Sequence, residues 1–410
     1  SASWVISDMI NNRGKGMPEW FTYAKARVSY AEVGNDMDPY QLYNQYSISS
    51  DGATGGITSS SGGTKFDANV KSELIKSWEA GAEIRFFNNR LGLDFTWYKS
   101  NATRQLMNIP LNSLSGYSNM KINAGNIQNQ GIEIMLNATP IQTKDFSWDM
   151  MLNFSKNANK IIDLYEGVKD YGLGGYAEVQ VLAVAGGNYG EIWGTKYQRV
   201  EEGPHAGKLL LNSAGLPQGT ADRYKIGDQQ ADCLLGWTNT LNYKNFSLSF
   251  LIDGRFGGDI YSGTNHMLQK SGVAGCTVVD GERKPFVVDG VISDGNGGYT
   301  QSTIEVTPEQ YWSAVTSGNM GIAEANVYDA TNIRLRNVSL NYTFPKAMLK
   351  KTPFQQVKLG LSCNNVWMLY SDMNGVDPES VFATSTNATG FEYAAAPTSR
   401  TFLFNVTLGF

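Results

Sequence analysis

The chain has 410 residues, a net charge of −5 and an isoelectric point near 5.3. This weakly acidic balance argues against a nucleic-acid-binding protein, which would show an excess of basic residues. No apolar run reaches the length of about eighteen residues that a transmembrane helix needs. The mean hydropathy of −0.29 remains compatible with membrane-spanning strands, because alternating strands average to mild polarity.

The first clear hairpin lies between residues 79 and 98, in a chain whose 12% of aromatic residues and 44 glycines favour an all-β fold. Every second residue of this hairpin is apolar, which places one set on a single face: Ala80, Ala82, Ile84, Phe86, Leu91, Leu93, Phe95 and Trp97. A two-residue turn at Asn88–Asn89 pairs Phe86 with Leu91 and keeps both apolar sets on one side.

The later hairpins repeat this pattern, with turns predicted at 140–145, 244–245 and 345–355. Ahead of Val338 the alternation slips at Arg336–Asn337. A β-bulge, or a strand end leaving the bilayer, accounts for such a slip.

The last strand ends the chain on Phe410, and its apolar residues alternate with polar ones from Thr401, apart from Leu403. About ten residues is the length that crosses a bilayer when tilted. A terminal aromatic on such a strand is also typical of outer-membrane barrels, so we predict an insertion signal formed by Phe402, Phe404 and Phe410. The alternative is an ordinary terminal strand whose apolar face meets a second sheet.

Connections alternate in length along the chain. Short turns separate long polar segments at 34–74, 99–127, 159–235, 257–330 and 369–399. Short turns at one end and long loops at the other are typical of an outer-membrane barrel. The polar face also carries charges that suit a water-filled lumen and would be costly inside a sandwich: Lys25, Arg27, Glu79, Glu83, Arg85 and Asp94.

Catalytic and metal-binding signatures are absent from the sequence, which indicates that the chain is not an enzyme and needs no cofactor. The two histidines, His205 and His266, lie in long loops and are expected to be solvated rather than ligands. Cys363 continues an apolar strand face and is expected to pack as a small hydrophobe. Cys233 and Cys276 lie in loops, where a disulfide between them stays an open alternative.

Five aromatic residues cluster in the connection 159–235 and are the candidate substrate-binding residues: Tyr171, Tyr176, Tyr189, Trp193 and Tyr197. Stacking surfaces of this kind bind sugars or peptide side chains. The alternative is packing of these rings against the barrel rim or a lid.

Taken together, the chain resembles the C-terminal half of SusC/RagA-type TonB-dependent outer-membrane transporters of Bacteroidetes. The similarity rests on eight runs in the family's order: KARVSYAEVGN (25–35), FFNNRLGLDFTWYK (86–99), NAGNIQNQGIEIMLNATPI (123–141), KDFSWDMMLNFSKNANKI (144–161), GEIWGTKYQRV (190–200), LNYKNFSLSFLIDGRFGGDIY (241–261), DATNIRLRNVSLNYTFPKAML (329–349) and PTSRTFLFNVTLGF (397–410).

The resemblance implies a transmembrane antiparallel barrel of about twenty-two strands, of which residues 1–410 would form the C-terminal half. It implies an N-terminal plug domain, a TonB box and a first half of the barrel, all absent from this sequence. It further implies coupling to TonB through that N-terminal part, and a SusD-like surface lipoprotein as a lid. Many relatives carry a DxNxDG run that residues 208–228 lack, so no metal site is implied.

The function that the resemblance implies is active import of a large nutrient across the outer membrane. An oligosaccharide is the expected substrate, an oligopeptide the alternative, and outer-membrane lipid the expected surroundings. A passive porin and a soluble β-sandwich glycan-binding protein are the other classes that would show alternating strands. About ten strands are counted, with Ser1–Ile6 as the tail of another, so the chain is not expected to close a barrel by itself.

Overall fold

The computed structural model describes residues 1–12, 16–37, 39, 43, 45–67, 69–176, 178–278, 281–373, 375–381 and 387–410. Its framework is one antiparallel sheet in which eleven strands pair in chain order. These strands are β1 Ala2–Val5, β2 Phe21–Asn35, β3 Glu73–Phe86, β4 Leu91–Pro110, β5 Asn119–Gln142, β6 Phe146–Asp163, β7 Cys233–Tyr243, β8 Phe246–Phe256, β9 Asn332–Thr343, β10 Gln356–Ser371 and β11 Thr401–Gly409. A short strand, Thr64–Phe66, joins the sheet by pairing in parallel with β5.

The remaining elements lie between these strands. Four short helices are α1 Ile6–Asn12, α2 Gly263–Lys270, α3 Pro308–Val315 and α4 Lys346–Leu349, and 3₁₀ turns occur at Ser113–Ser115, Gly275–Thr277 and Ala323–Asn326. The small sheets contain Tyr46–Ser50, Ile57–Ser61, Asp170–Gly175, Val179–Val184, Tyr189–Gly194, Leu209–Leu211, Tyr224–Asp228, Asp259–Ser262, Phe286–Val287, Gly290–Ser293, Tyr299–Gln301, Glu305–Val306, Val327–Asp329 and Phe391–Glu392. Within the described residues, every helix is too short or too polar to span a bilayer.

The predicted register of the first hairpin is confirmed. Phe86 pairs with Leu91, and the turn residues Phe87, Asn88 and Asn89 have φ of 52°, 55° and 66°. Three consecutive residues in the left-handed region reverse the chain tightly, which asparagine tolerates better than most residues. The apolar sets of β3 and β4 therefore share one face.

The bulge predicted near Arg336 is also confirmed. The pairing of β9 with β8 shifts where Leu251 faces Asn337 and Ile252 faces Leu335, so Arg336 is the extra residue. A second shift lies between Ala138 and Ile141, where Pro140 has no N–H to give to the ladder. The ladder resumes beyond that proline to Gln142, so this turn is shorter than the predicted 140–145.

The prediction of a long loop at 99–127 is wrong. Strands β4 and β5 continue their ladder as far as the pair Pro110 and Asn119, which leaves only 111–118 as a loop. Polar side chains support the extension, as where Asn101 Nδ2 donates to Asn126 Oδ1 at 2.9 Å. Beyond the bilayer both faces of a hairpin meet water, so polar composition does not end its backbone pairing.

The sheet remains open at both sides. Strand β1 pairs only with β2, and β11 only with β10, among the residues that the structure describes. Eight of the nine β11 residues are exposed. The expectation that these eleven strands do not close a barrel by themselves is therefore confirmed.

The long connections at the opposite end from the short turns fold together into a cap. Its core takes residues from three connections: Val179, Val181 and Ile192 from 164–232, Tyr261, Met320 and Ala323 from 257–331, and Ala388 and Phe391 from 372–400. The rings of Tyr261 and Phe391 stack with centroids 5.3 Å apart, and the Tyr261 hydroxyl donates to the Met320 carbonyl at 3.1 Å. Three separate loops are thus held as one packed unit above the sheet.

Candidate functional site

The polar face of the sheet lines a concavity of about 880 Å³. Side chains from β2 and from β4 to β9 reach it, together with part of the 372–400 segment, the connection between β10 and β11. Its charged lining residues are Arg27, Asp94, Glu133, Asp253, Arg255, Arg336 and Glu379. Charges from five strands and from the 372–400 segment converge on one water-accessible space, as predicted for Arg27 and Asp94.

The opposite face of the sheet is apolar and exposed. Phe402 and Phe404 of β11 are 71% and 68% exposed, and the same face carries further exposed apolar residues: Val28, Tyr30, Trp78, Phe95, Trp97, Leu340 and Leu361. A soluble sandwich would bury such a face against a second sheet. Exposure of aromatic and aliphatic side chains on this scale indicates contact with lipid.

One ion pair in the concavity crosses an intervening strand. Arg27 on β2 donates to both Asp94 carboxylate oxygens, at 2.9 and 2.6 Å, and to the Thr96 hydroxyl at 2.5 Å, although β3 lies between β2 and β4. The crossing is possible because Gly81, the β3 residue opposite Arg27, has no side chain. A Cβ there would stand 2.6 Å from Arg27 Nε.

The same arrangement recurs higher in the sheet. The Tyr98 hydroxyl on β4 donates to Asn157 Oδ1 on β6 at 3.0 Å, across Gly131 of β5. A Cβ at Gly131 would lie 2.6 Å from that hydroxyl. Glycines within these strands therefore make room for polar side chains that join alternate strands along the concave wall.

We expect Gly81→Ala to destabilise the folded barrel by about 1–3 kcal/mol, because the new methyl group displaces the Arg27 guanidinium from Asp94. The matched control is Gly236→Ala on β7, where a Cβ would meet nothing within 4 Å. Thermal unfolding of both variants, followed as the loss of the folded band on unheated gels, measures the difference. Equal unfolding midpoints for the two variants would show that the Arg27 side chain can move without lowering the free energy of unfolding.

Two arginines of β9 attach the 372–400 segment to the concave wall. The Arg334 guanidinium, only 6% exposed, forms an ion pair with Asp377, whose side chain is 8% exposed. Thr398 adds two hydrogen bonds to the same carboxylate, from its backbone N–H at 3.0 Å and from its hydroxyl at 2.6 Å. Burial alone raises the pKa of the Asp377 carboxyl, but the bonds from Arg334 and Thr398 outweigh burial and hold that pKa far below its usual range.

Arg336, two residues further along β9, binds the carboxylate of Glu379 in the same segment. Its Nη1 and Nη2 donate to the two Glu379 oxygens at 2.8 and 2.6 Å, while its Nε and Nη2 donate to Asp253 Oδ2 at 2.9 and 2.7 Å. Hydrogen bonds from Arg336 lower the pKa of Glu379 against the opposing effect of burial. The pairing places Glu379, with Pro378 and Val381, inside the concavity, where these residues narrow it.

The attachment of this segment should not respond to pH in the neutral range. Both carboxyl groups have a lower pKa in the folded state than in an unfolded chain, so their contribution to stability is complete above about pH 4.5. It is lost as the pH falls through the lowered folded values. We therefore expect constant hydrogen-exchange protection of residues 375–381 from pH 8 to about pH 5 and a loss only below about pH 4. Loosening between pH 7 and 5, after correction for intrinsic exchange, would contradict this.

The five candidate aromatic residues all lie in or beside the cap and are all half-buried. Tyr176 packs against Phe391 with ring centroids 5.3 Å apart. Tyr171 instead packs on a separate cluster formed where β4 and β5 rise above the bilayer: Met107, Ile109, Ile122 and Ala124. These two rings are therefore in different packing environments.

The other three candidates have polar partners. The Tyr189 hydroxyl accepts from Asn387 Nδ2 at 2.6 Å, and Trp193 Nε1 donates to Glu191 Oε2 at 2.9 Å. The Arg199 guanidinium carbon lies 5.8 Å from the centroid of the Tyr197 ring. Burial raises the pKa of the Tyr197 hydroxyl. Only Tyr189 and Trp193 share a strand, so the structure does not assemble the five into one stacking surface, and substrate contact by them stays a prediction.

The expectation that His266 is solvated is wrong. It lies on α2 inside the cap and is fully buried, and burial lowers the pKa of its imidazole. Cys233, Cys276 and Cys363 are free thiols. Among the described residues, no three histidine, cysteine, aspartate or glutamate side chains come together as a metal site.

Sequence reasoning missed Arg334, Arg336, Asp377 and Glu379. The only local signal was the interrupted alternation at Arg336, which marked the bulge but gave no partner for either arginine. The partners lie about forty residues further along the chain, in a connection without periodicity.

A sheet with an apolar outer face, a charged concave face, short turns at one end and a folded cap at the other defines an outer-membrane β-barrel. Residues 17–366 match the family model of the TonB-dependent receptor-like β-barrel, and the chain belongs to this family. It is accordingly an outer-membrane protein of the SusC-like type.

Relatives with established names are TonB-dependent receptors. The chain is 28% identical over 425 residues to TonB-dependent receptor P3 of Formosa agariphila, covering 94% of this chain and 39% of the relative. It is 26% identical over 405 residues to TonB-dependent receptor SusC of Bacteroides thetaiotaomicron, covering 92% of this chain and 36% of SusC. The chain thus spans about two fifths of the length of these relatives.

Solved structures show the same fold. The RagAB peptide importer in its closed-closed state superposes with a TM-score of 0.72 at 17% identity, covering 99% of this chain and 42% of that one. The open-open state of the same importer gives a TM-score of 0.71 at 15% identity.

Proposed function

We propose that this chain is the barrel portion of a transporter that imports a large nutrient across the outer membrane, with energy delivered through TonB. The observation that carries the proposal is the charged concavity on the inner face of a sheet whose family members are TonB-dependent receptors. The plug domain and TonB box that such coupling needs would lie outside residues 1–410.

An oligosaccharide is the proposed substrate. Most of the charges in the concavity already pair with one another, as in Arg27 with Asp94 and Arg336 with Asp253 and Glu379. A wall of neutralised charges interspersed with hydroxyl and amide groups suits a neutral, hydroxyl-rich ligand better than a charged one. The similarity to the RagAB peptide importer keeps an oligopeptide as the alternative.

The proposed route passes the cap and enters the concavity beside Glu379. The candidate aromatic residues of the cap, Tyr189 and Trp193 above all, would contact the substrate before it enters. A SusD-like surface lipoprotein would close over the cap. On the membrane side, Phe402, Phe404 and Phe410 would serve as the insertion signal of the last strand.

Uptake of labelled oligosaccharide and oligopeptide fractions by cells with and without this protein tests the proposal. Uptake should require both the protein and TonB, and should favour the oligosaccharide. A passive porin would conduct without TonB. Uptake of the peptide alone would support the import function but would show that the substrate is an oligopeptide.

The cap contact is tested by Trp193→Ala, which should weaken oligosaccharide binding by the purified protein by about 1 kcal/mol or more if the ring stacks on sugar. The matched control is Trp78→Ala. Trp78 faces outward, is 53% exposed, and its ring centroid lies 4.6 Å from that of Tyr30.

The proposed lid is tested separately. Purification under mild detergent should recover the surface lipoprotein together with the barrel, and recovery of the barrel alone across growth conditions would count against a lid.

A further inference from the structure

The connection between β9 and β10, residues 344–355, is strongly basic. It contains Lys346, Lys350 and Lys351 and no acidic residue, in a chain whose net charge is −5. All three lysines are exposed. Within the described part of the chain, none of their ammonium groups forms a hydrogen bond or an ion pair, so all three are free for an external anion.

This connection is a folded turn, in which the Met348 N–H donates to the Pro345 carbonyl at 3.0 Å and the Thr352 N–H to the Leu349 carbonyl at 2.9 Å. Helix α4 occupies Lys346–Leu349, with Leu349 only 8% exposed and therefore anchored against the protein. Met348 beside it is 61% exposed. The turn thus presents an apolar side chain and three cationic ones to its surroundings from a fixed backbone.

The turn lies at the level of lipid headgroups. It belongs to the end of the sheet with the short turns, which in outer-membrane barrels is the periplasmic end. Aromatic pairs flank it on both sides: Tyr342 with Phe344, and Phe354 with Phe410, each with ring centroids 5.1 Å apart. Aromatic residues of barrels concentrate at the membrane interface, where headgroup phosphates are found.

The neighbouring short turns extend the positive charge. The turns 87–90, 143–145, 244–245 and 344–355 together carry one acidic residue, Asp145, and six basic ones: Arg90, Lys144, Lys244, Lys346, Lys350 and Lys351. Lysines close to an anionic membrane surface are attracted to it individually and additively. The charge of these four turns is therefore complementary to anionic phospholipid.

We propose that the 344–355 turn is a binding site for the phosphate headgroup of an anionic phospholipid in the periplasmic leaflet, with Lys346, Lys350 and Lys351 as its ligands. Met348 inserts among the acyl chains below the headgroup. The site fixes the depth and tilt of β9 and β10 in the bilayer. It does not depend on the proposed import function, since it faces lipid rather than the concavity.

The test uses the intact outer-membrane protein that contains this chain, purified in mild detergent and titrated with phosphatidylglycerol or phosphatidylethanolamine under native mass spectrometry. Replacing all three lysines of the turn by glutamine should weaken phosphatidylglycerol binding by about tenfold or more, and phosphatidylethanolamine binding far less. A variant with arginine at the three positions should retain the binding and shows that the turn still folds.

The matched control removes three lysines from the opposite end of the sheet, Lys65, Lys71 and Lys169, all exposed. This change equals the first in charge and should alter phosphatidylglycerol binding less than about twofold. An equal loss of phosphatidylglycerol binding in both triple variants would show that only the net charge of the protein matters. That result would overturn the site. If the lysine-to-glutamine variant lost binding of lipopolysaccharide instead of phosphatidylglycerol, the turn would lie at the outer leaflet. That result would also overturn the proposed site.

Discussion

Replacement of Arg334 by alanine should release the 372–400 segment from the concave wall at a cost of about 3–5 kcal/mol. The substitution leaves the Asp377 carboxylate buried at 8% exposure, with its charge stabilised only by the two Thr398 hydrogen bonds and one from the Glu379 backbone N–H at 3.0 Å. An uncompensated buried charge is among the most destabilising consequences of a single substitution. Ala388 and Phe391 of the same segment stay packed in the core of the cap, so the loss should be local rather than global.

Hydrogen exchange of residues 375–381 measures the release, while the folded band on unheated gels reports whether the barrel itself remains assembled. Arg400→Ala is the matched control, because Arg400 is exposed and its Nε only reaches the Asn365 carbonyl at 3.4 Å. The double variant Arg334→Ala with Asp377→Ala should recover part of the lost protection, since no charge is then left buried. Unchanged exchange in Arg334→Ala would show that the Arg336–Glu379 pair and the apolar contacts hold the segment without Arg334.

Replacement of Leu248 by arginine should destabilise the membrane-inserted barrel by about 1–3 kcal/mol, since it places a charge on the lipid face of β8, two residues inside the terminal Phe246. Leu248 pairs with Leu241 and Leu340, both members of the outward set. Ser249→Arg is the control: Ser249 pairs with Thr240 and Ser339 on the polar face, where water solvates the added charge.

The yield of assembled barrel in lipid vesicles compares the two variants. Equal cost for both would mean that the faces of β8 are assigned the wrong way round. A large cost for Ser249→Arg alone would point to a tightly filled lumen at that level, because the polar face would then have no room for an arginine.

The sequence could predict the hairpin turns and the apolar and polar faces of the strands, because both depend on residues that are close together in the sequence. Period-two alternation determines which side chains share a face, and a turn that accepts positive φ sets the register, as at Asn88–Asn89 and Lys244–Asn245. The bulge at Arg336 was visible for the same reason, since one extra residue reverses the alternation. For the main sheet, the sequence by itself therefore determined the number of strands that pair in chain order and their faces.

The pairing of distant polar groups was decided only by the tertiary structure. Arg334 and Asp377 are far apart in sequence, and nothing in the composition of residues 372–400 indicates that they fold inward. Likewise, the burial of His266 and the separation of Tyr171 from Tyr176 depend on how three connections pack into one cap. Alternation specifies a strand through its own backbone geometry, whereas contacts between loops depend on which of many compact arrangements buries the most apolar surface and satisfies each buried charge.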